Sequence, residues 1–134
     1  MSEVLHELAV RVYYEDTDAA GIVYHANYLR FAERARTELL RRRGLDHRTL
    51  AERYGLLFAV ANCSIAFRSP ARLDDALTVR TSLTRLGGAS VTLRQDVVRG
   101  SDVIATLEVR LAIVDLGLRP ARLPAALEDV FRSH

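Results

Sequence analysis

Three acidic residues fall within four positions of one another, Glu15, Asp16 and Asp18, and they are followed by Gly21, His25 and Asn27 in the stretch YYEDTDAAGIVYHANYLRFAERARTELL, Tyr13 to Leu40. A carboxylate can take a proton from water or attack an electrophile directly, and a histidine can orient it or pass a proton on. Gly21 allows a positive φ or the close approach of a ligand. The stretch then enters a helix, whose first backbone N–H groups lack intrahelical partners and favour negative charge. No other part of the chain concentrates so much chemistry.

The elements that must position these groups follow from periodicity. Residues 6 to 14 alternate and predict a strand, with Leu8, Val10, Val12 and Tyr14 on one face. Residues 15 to 24 form a polar loop. Asn27 reads as an N-cap. From Tyr28 to Arg43 the residues Tyr28, Phe31, Ala32, Ala35, Leu39 and Leu40 make one apolar helical stripe. Glu38 and Arg42 are spaced as an i,i+4 pair, and Gly44 is placed to end the helix. A short helix over Leu45–Arg53 follows, capped by Asp46 and ended by Gly55. Four strands are then expected, Leu57–Arg68, Leu77–Leu86, Val91–Arg99 and Val103–Asp115. Gly87-Gly88 and Arg99-Gly100-Ser101-Asp102 are hairpin turns, so an antiparallel meander is the default for the last three. Pro124 opens a short final helix, Ala125–Phe131.

The fold class is α+β, a helix with one apolar stripe laid on a curved antiparallel sheet. The chain's 134 residues suit one domain. Phe58 and Val60 lie on the face opposite Leu57 and Ala59, which calls for another subunit over the outer face or an edge.

Composition narrows the function. All nineteen basic residues are arginine, acids are scattered among them, and the net charge is only +2, so no basic patch points to nucleic acid. No apolar run approaches the ~18 residues that a membrane span needs. The stretch MSEVLHELAV is unlike a secretory signal. Cys63 is the single cysteine, which fits a reducing, cytoplasmic setting, and its alternation with Ala61 and Ile65 predicts a buried, inert thiol. No His, Cys and Asp cluster has metal-site spacing, so neither a metal nor another cofactor is expected.

The run Asp-Thr-Asp-Ala-Ala-Gly-Ile-Val-Tyr-His, together with SPARLDD at Ser69–Asp75, resembles the signature of the hotdog-fold acyl-CoA thioesterases of the 4-hydroxybenzoyl-CoA thioesterase superfamily, nearest to the Tol–Pal-associated acyl-CoA thioesterase family. The resemblance covers nearly the whole chain. It implies a long helix wrapped by a five- or six-stranded antiparallel sheet, a homodimer with sheets joined edge to edge, a homotetramer built from such dimers, and active sites at the dimer interface. It also implies a substrate that is a thioester of coenzyme A or acyl-carrier protein, coenzyme A being part of the substrate, and a link to the Tol–Pal system.

By the same resemblance, Asp18 is the catalytic carboxylate and His25 the family histidine. Tyr14 is expected to line the acyl pocket, with Arg72, Arg85, Arg94 and Ser90 toward coenzyme A. The 4-hydroxybenzoyl-CoA enzymes carry adjacent basic residues where this chain has Gly87-Gly88, a departure that weakens the case for their nucleotide contacts and aromatic substrate. An Asp or His near a helix start is ordinarily a capping or structural residue; the whole matched run is what lifts Asp18 and His25 above that. Asp16 is expected to fix the loop by bonding amides, and Glu15, Glu33 and Glu38 to be solvated. Two other functions remain. A hotdog hydratase or dehydratase would carry an Asp-x-Asn-Pro-x-His hallmark, which is absent here. A non-catalytic binding module would have no need of Asp18 and His25.

Overall fold

The computed structural model describes residues 3–132. Strand β1 (Val4–Arg11) leads through a 3₁₀ turn (Tyr14–Asp16) and a loop into helix α1 (His25–Arg42) and helix α2 (His47–Tyr54). Strands β2 (Leu56–Phe67), β3 (Ala76–Leu86), β4 (Ser90–Arg99) and β5 (Asp102–Asp115) follow, and a 3₁₀ segment covers Ala125–Phe131. All strand pairs are antiparallel, in the order β1-β3-β4-β5-β2.

The meander expected from the tight turns holds for β3, β4 and β5. Strand β2, after the two helices, runs to the far side and pairs with β5, Phe58 opposite Ile113 and Phe67 opposite Ala105. Both β1 and β2 are therefore sheet edges.

The expected helical stripe is the buried one. Tyr28, Phe31, Ala32, Ala35, Leu39 and Leu40 all face the core, against sheet residues such as Val79, Leu93 and Leu107. A buried polar clasp fixes the helix over the sheet centre. Gln95 Nε2 donates to the Ala32 carbonyl at 2.9 Å and to Thr81 Oγ1 at 3.0 Å, while Arg36 donates to Gln95 Oε1 at 3.0 Å. Such a bond inside the core costs the full desolvation of its partner if broken. At its far end Arg43 donates to the carbonyls of Val130 and Leu5, tying the helix to the tail and to β1. Gly44, at φ +75°, ends the helix as expected.

Several local expectations are corrected. β1 stops at Arg11, and Tyr14 lies in the 3₁₀ turn, because the chain must bend there to reach the helix. Helix α1 begins at His25 after Tyr24, so Asn27 sits inside the first turn and is not the N-cap; its side chain is buried against Asp16. Glu38 pairs with Arg41, one position nearer than Arg42. Cys63 is exposed rather than buried, since β2 is an edge and none of the described residues covers positions 60–64. The final segment is 3₁₀, with Pro124 as its N-cap. Asp46 does cap α2, its carboxylate accepting from the Thr49 amide at 2.7 Å.

Among the described residues no helix is long and apolar enough to cross a membrane. None of their His, Cys, Asp and Glu side chains form a group that could hold a metal ion.

Candidate active site

The acidic loop is folded on itself by its own backbone. The Asp18 amide donates to the Ile22 carbonyl at 2.9 Å, and the Gly21 amide returns to the Asp18 carbonyl at 3.0 Å. The turn needs a positive φ, which Gly21 supplies at +77°. Asp18 Oδ1 accepts from the Ala20 amide at 2.8 Å, the short Asx turn that this residue type favours. Among the described residues its other oxygen makes no hydrogen bond.

The SPARLDD stretch holds this loop from the other side. The Val23 amide donates to the Ala71 carbonyl at 2.8 Å, and Ile22 bridges Arg72. Tyr28 Oη accepts from the buried Ala71 amide at 3.2 Å. Burial raises the Tyr28 hydroxyl above its ordinary pKa, so it stays a neutral phenol at physiological pH. Asp75 Oδ2 takes the Arg72 amide at 2.8 Å and the Arg99 guanidinium at 2.9 Å. Burial works against its ionisation, but these donors prevail and hold its carboxyl below the usual range. The two sequence runs singled out above are thus one clasped unit.

Asp18 and His25 meet in one open cavity of about 350 Å³. Ile22, Val23, Tyr28, Phe67 and Pro70 give it an apolar bed, with Arg68 and Ser69 at the rim. Tyr28 and Phe67 pack edge to face, ring centroids 5.3 Å apart. The first turn of α1 opens here, and the amides of His25 and Ala26 have no acceptor among the described residues. A carboxylate and an imidazole over an apolar bed, beside a helix start with unpaired N–H groups, have the residue types needed for attack on an acyl carbonyl.

The other expected site residues lie apart from this cavity in the single chain. Tyr14 is 83% exposed on the 3₁₀ turn. Arg72 is exposed beside the loop, its amide engaged by Asp75. Arg85, Arg94 and Ser90 belong to the β3–β4 hairpin. Ser90 pairs with Ala112, which pairs with Ala59 of β2, eight residues from Phe67. That separation is about 26 Å along the strand.

Sequence reasoning missed Phe67, Arg68 and Pro70 as cavity residues. Pro70 lies within the SPARLDD stretch, and Phe67 and Arg68 immediately precede it, which was their only sequence signal. A larger groove, of about 770 Å³, lies between β1 and the outer face of α1. Arg30, Glu33, Arg34, Glu38 and Arg41 line its helix side, and neither Asp18 nor His25 reaches it.

Comparison with known proteins agrees with this architecture. Residues 12–131 match the family model described as the thioesterase-like superfamily. The acyl-CoA thioesterase YbgC of Haemophilus influenzae is 43% identical over 91% of this chain and 90% of its own length. The acyl-CoA thioester hydrolase YbgC of Escherichia coli O157:H7 is 41% identical, over 98% of this chain and 99% of its own. The crystal structure of a probable thioesterase from Bartonella henselae superposes with a TM-score of 0.85 at 39% identity, covering 89% of this chain and 98% of that one. A five-stranded antiparallel sheet wrapped on a long helix, with the acidic loop at the helix start and relatives of this closeness over nearly the full length, makes the chain a hotdog-fold member of the thioesterase-like superfamily.

Proposed function

We propose that the protein hydrolyses acyl-CoA thioesters to the free acid and coenzyme A, with Asp18 as general base or nucleophile. The observation that carries this is the convergence of Asp18, His25 and the open first turn of α1 on one apolar cavity. As a base, Asp18 takes a proton from water while the hydroxide oxygen bonds to the thioester carbon. As a nucleophile, it forms a mixed anhydride that water then opens. In either case the carbonyl oxygen gains charge facing the His25 and Ala26 amides, and the carbon–sulfur bond breaks. The leaving thiolate, of pKa about 8.5, needs no strong acid behind it. His25 orients Asp18 or returns a proton to the sulfur.

The cavity opens toward β2, an edge strand with Val60 and Phe67 both more than half exposed. A second copy adding its own β2 antiparallel to this one completes the wall. Because the pairing reverses direction, a two-fold axis near Cys63 brings the partner's hairpin end beside this chain's Phe67. Arg85 and Ser90 would then reach coenzyme A bound at the neighbouring site, a role closed to them within one chain. The relatives' names favour hydrolysis of acyl-CoA, and acyl-carrier protein remains the alternative carrier.

The test is thiol release from a panel of acetyl-, butyryl-, octanoyl-, palmitoyl- and benzoyl-CoA by the purified protein. Turnover of at least one of them is expected. Silence toward all, with the protein folded, overturns the proposal.

A further inference from the structure

The Asp16 carboxylate is almost fully buried, at 5% exposure, and it touches none of the cavity that holds Asp18. Each of its oxygens has one donor. The Tyr13 amide donates to Oδ2 at 2.8 Å, and Asn27 Nδ2 donates to Oδ1 at 2.8 Å. Its backbone carbonyl accepts from the Tyr24 amide at 2.9 Å, immediately before the helix. No cation forms an ion pair with it among the described residues. A buried carboxylate held only by neutral donors is a costly arrangement. Here it joins the two ends of the twelve-residue span that carries Asp18 and His25.

We infer that Asp16 and Asn27 form a positioning pair, which sets the distance between the Asp18 carboxylate and the free amides at the start of α1. The inference rests on the proposed hydrolysis for its catalytic meaning. Neither residue touches substrate; both act through where Asp18 is held. The two side chains leave and enter the fold at fixed points, one in the 3₁₀ turn and one in the first turn of the helix. Removing either lets the intervening loop move relative to the oxyanion donors, and a misplacement near 1 Å costs about 100-fold in rate.

Five variants test this. Asp16→Ala and Asn27→Ala each remove the link, and kcat is expected to fall about 100-fold with KM within threefold of the parent. Asp16→Asn keeps an acceptor for the Tyr13 amide and bonds Asn27 after a flip of the Asn27 amide, so kcat stays within about fivefold. Asn27→Asp sets two carboxylates against each other and falls like the alanine variants. The double variant Asp16→Asn/Asn27→Asp restores a donor–acceptor pair with the roles exchanged, and returns to within about fivefold of the parent. Amide hydrogen exchange at Asp18, whose N–H bonds the Ile22 carbonyl, is expected to quicken in the alanine variants and to recover in the double variant.

The inference is overturned if the alanine variants lower Tm but keep the parent kcat, or if Asp16→Asn falls as far as Asp18→Asn, which would put the Asp16 charge among the reacting groups. A parent protein silent toward every acyl-CoA defeats the proposed function instead. Exchange at the Asp18 amide then decides the positioning claim alone: unchanged exchange in Asp16→Ala refutes it.

Discussion

Replacing Asp18 by asparagine separates its chemistry from its place in the fold. The side chain spends one oxygen on the Ala20 amide at 2.8 Å and leaves the other without a partner among the described residues. An asparagine carbonyl can keep the first bond, so the Asx turn survives, but an amide cannot take a proton or attack a carbonyl. The structural loss is a charge-assisted bond becoming a neutral one at an exposed site, worth under about 1 kcal/mol, which moves Tm by no more than about 5 °C in a domain of this size. Loss of a general base costs about 10²–10⁴ in rate, or roughly 2.7–5.4 kcal/mol of transition-state stabilisation. The apolar lining of the cavity, Val23, Tyr28 and Phe67, is untouched. The expected result is thus a fall in kcat of at least about 100-fold with little change in KM or Tm. The assay is thiol release under saturating acyl-CoA, beside a thermal melt of the same preparation. An Asp18→Asn protein that keeps more than a tenth of the parent kcat would refute the assignment of the reacting carboxylate.

Further expectations follow from other contacts. Tyr28→Phe removes the acceptor of the buried Ala71 amide, which costs about 1–3 kcal/mol and lowers Tm by roughly 3–10 °C; an unchanged melt would show that this bond does not hold the loop. Asp75 has its carboxyl held below the ordinary value, so its contribution to stability is present above the unfolded pKa of about 3.9 and is lost as pH falls through the folded value. Asp75→Asn should therefore destabilise the protein at pH 7 in urea titration and by much less at pH 3, and an equal loss at both would contradict the charge argument. Mild oxidation should link two chains through Cys63, the single cysteine, if the β2 edges pair about that residue; failure to form a covalent dimer in a protein that sediments as a dimer would move the axis elsewhere. Val60→Asp, on the same exposed edge, should shift sedimentation toward the monomer, since it puts a charge where apolar surface would be covered.

Much of the architecture could be read from local pattern. The α1 stripe, the Gly44 stop, the Asp46 cap and the three strands around two tight turns are set by interactions within a few residues, where periodicity and turn chemistry speak directly. That Asp18 and His25 would lie near one another was legible because one matched run carries both. The roles of Asn27, Cys63 and β2 were not. A cap and a buried partner are both plausible for an asparagine at a helix start, and Asp16, eleven residues earlier, decides between them. Alternation shows which residues share a face, but it does not show that β2 would cross to the far edge beside β5 and leave Cys63 uncovered. The cavity is likewise a tertiary product. Phe67, Pro70 and Tyr28 are up to 42 positions apart in the chain and meet only because the SPARLDD stretch is bonded to the acidic loop. What a few neighbouring residues can settle by sterics and hydrogen bonding was written in the sequence; which distant segments share a wall was decided by the sheet order, which no local preference encodes.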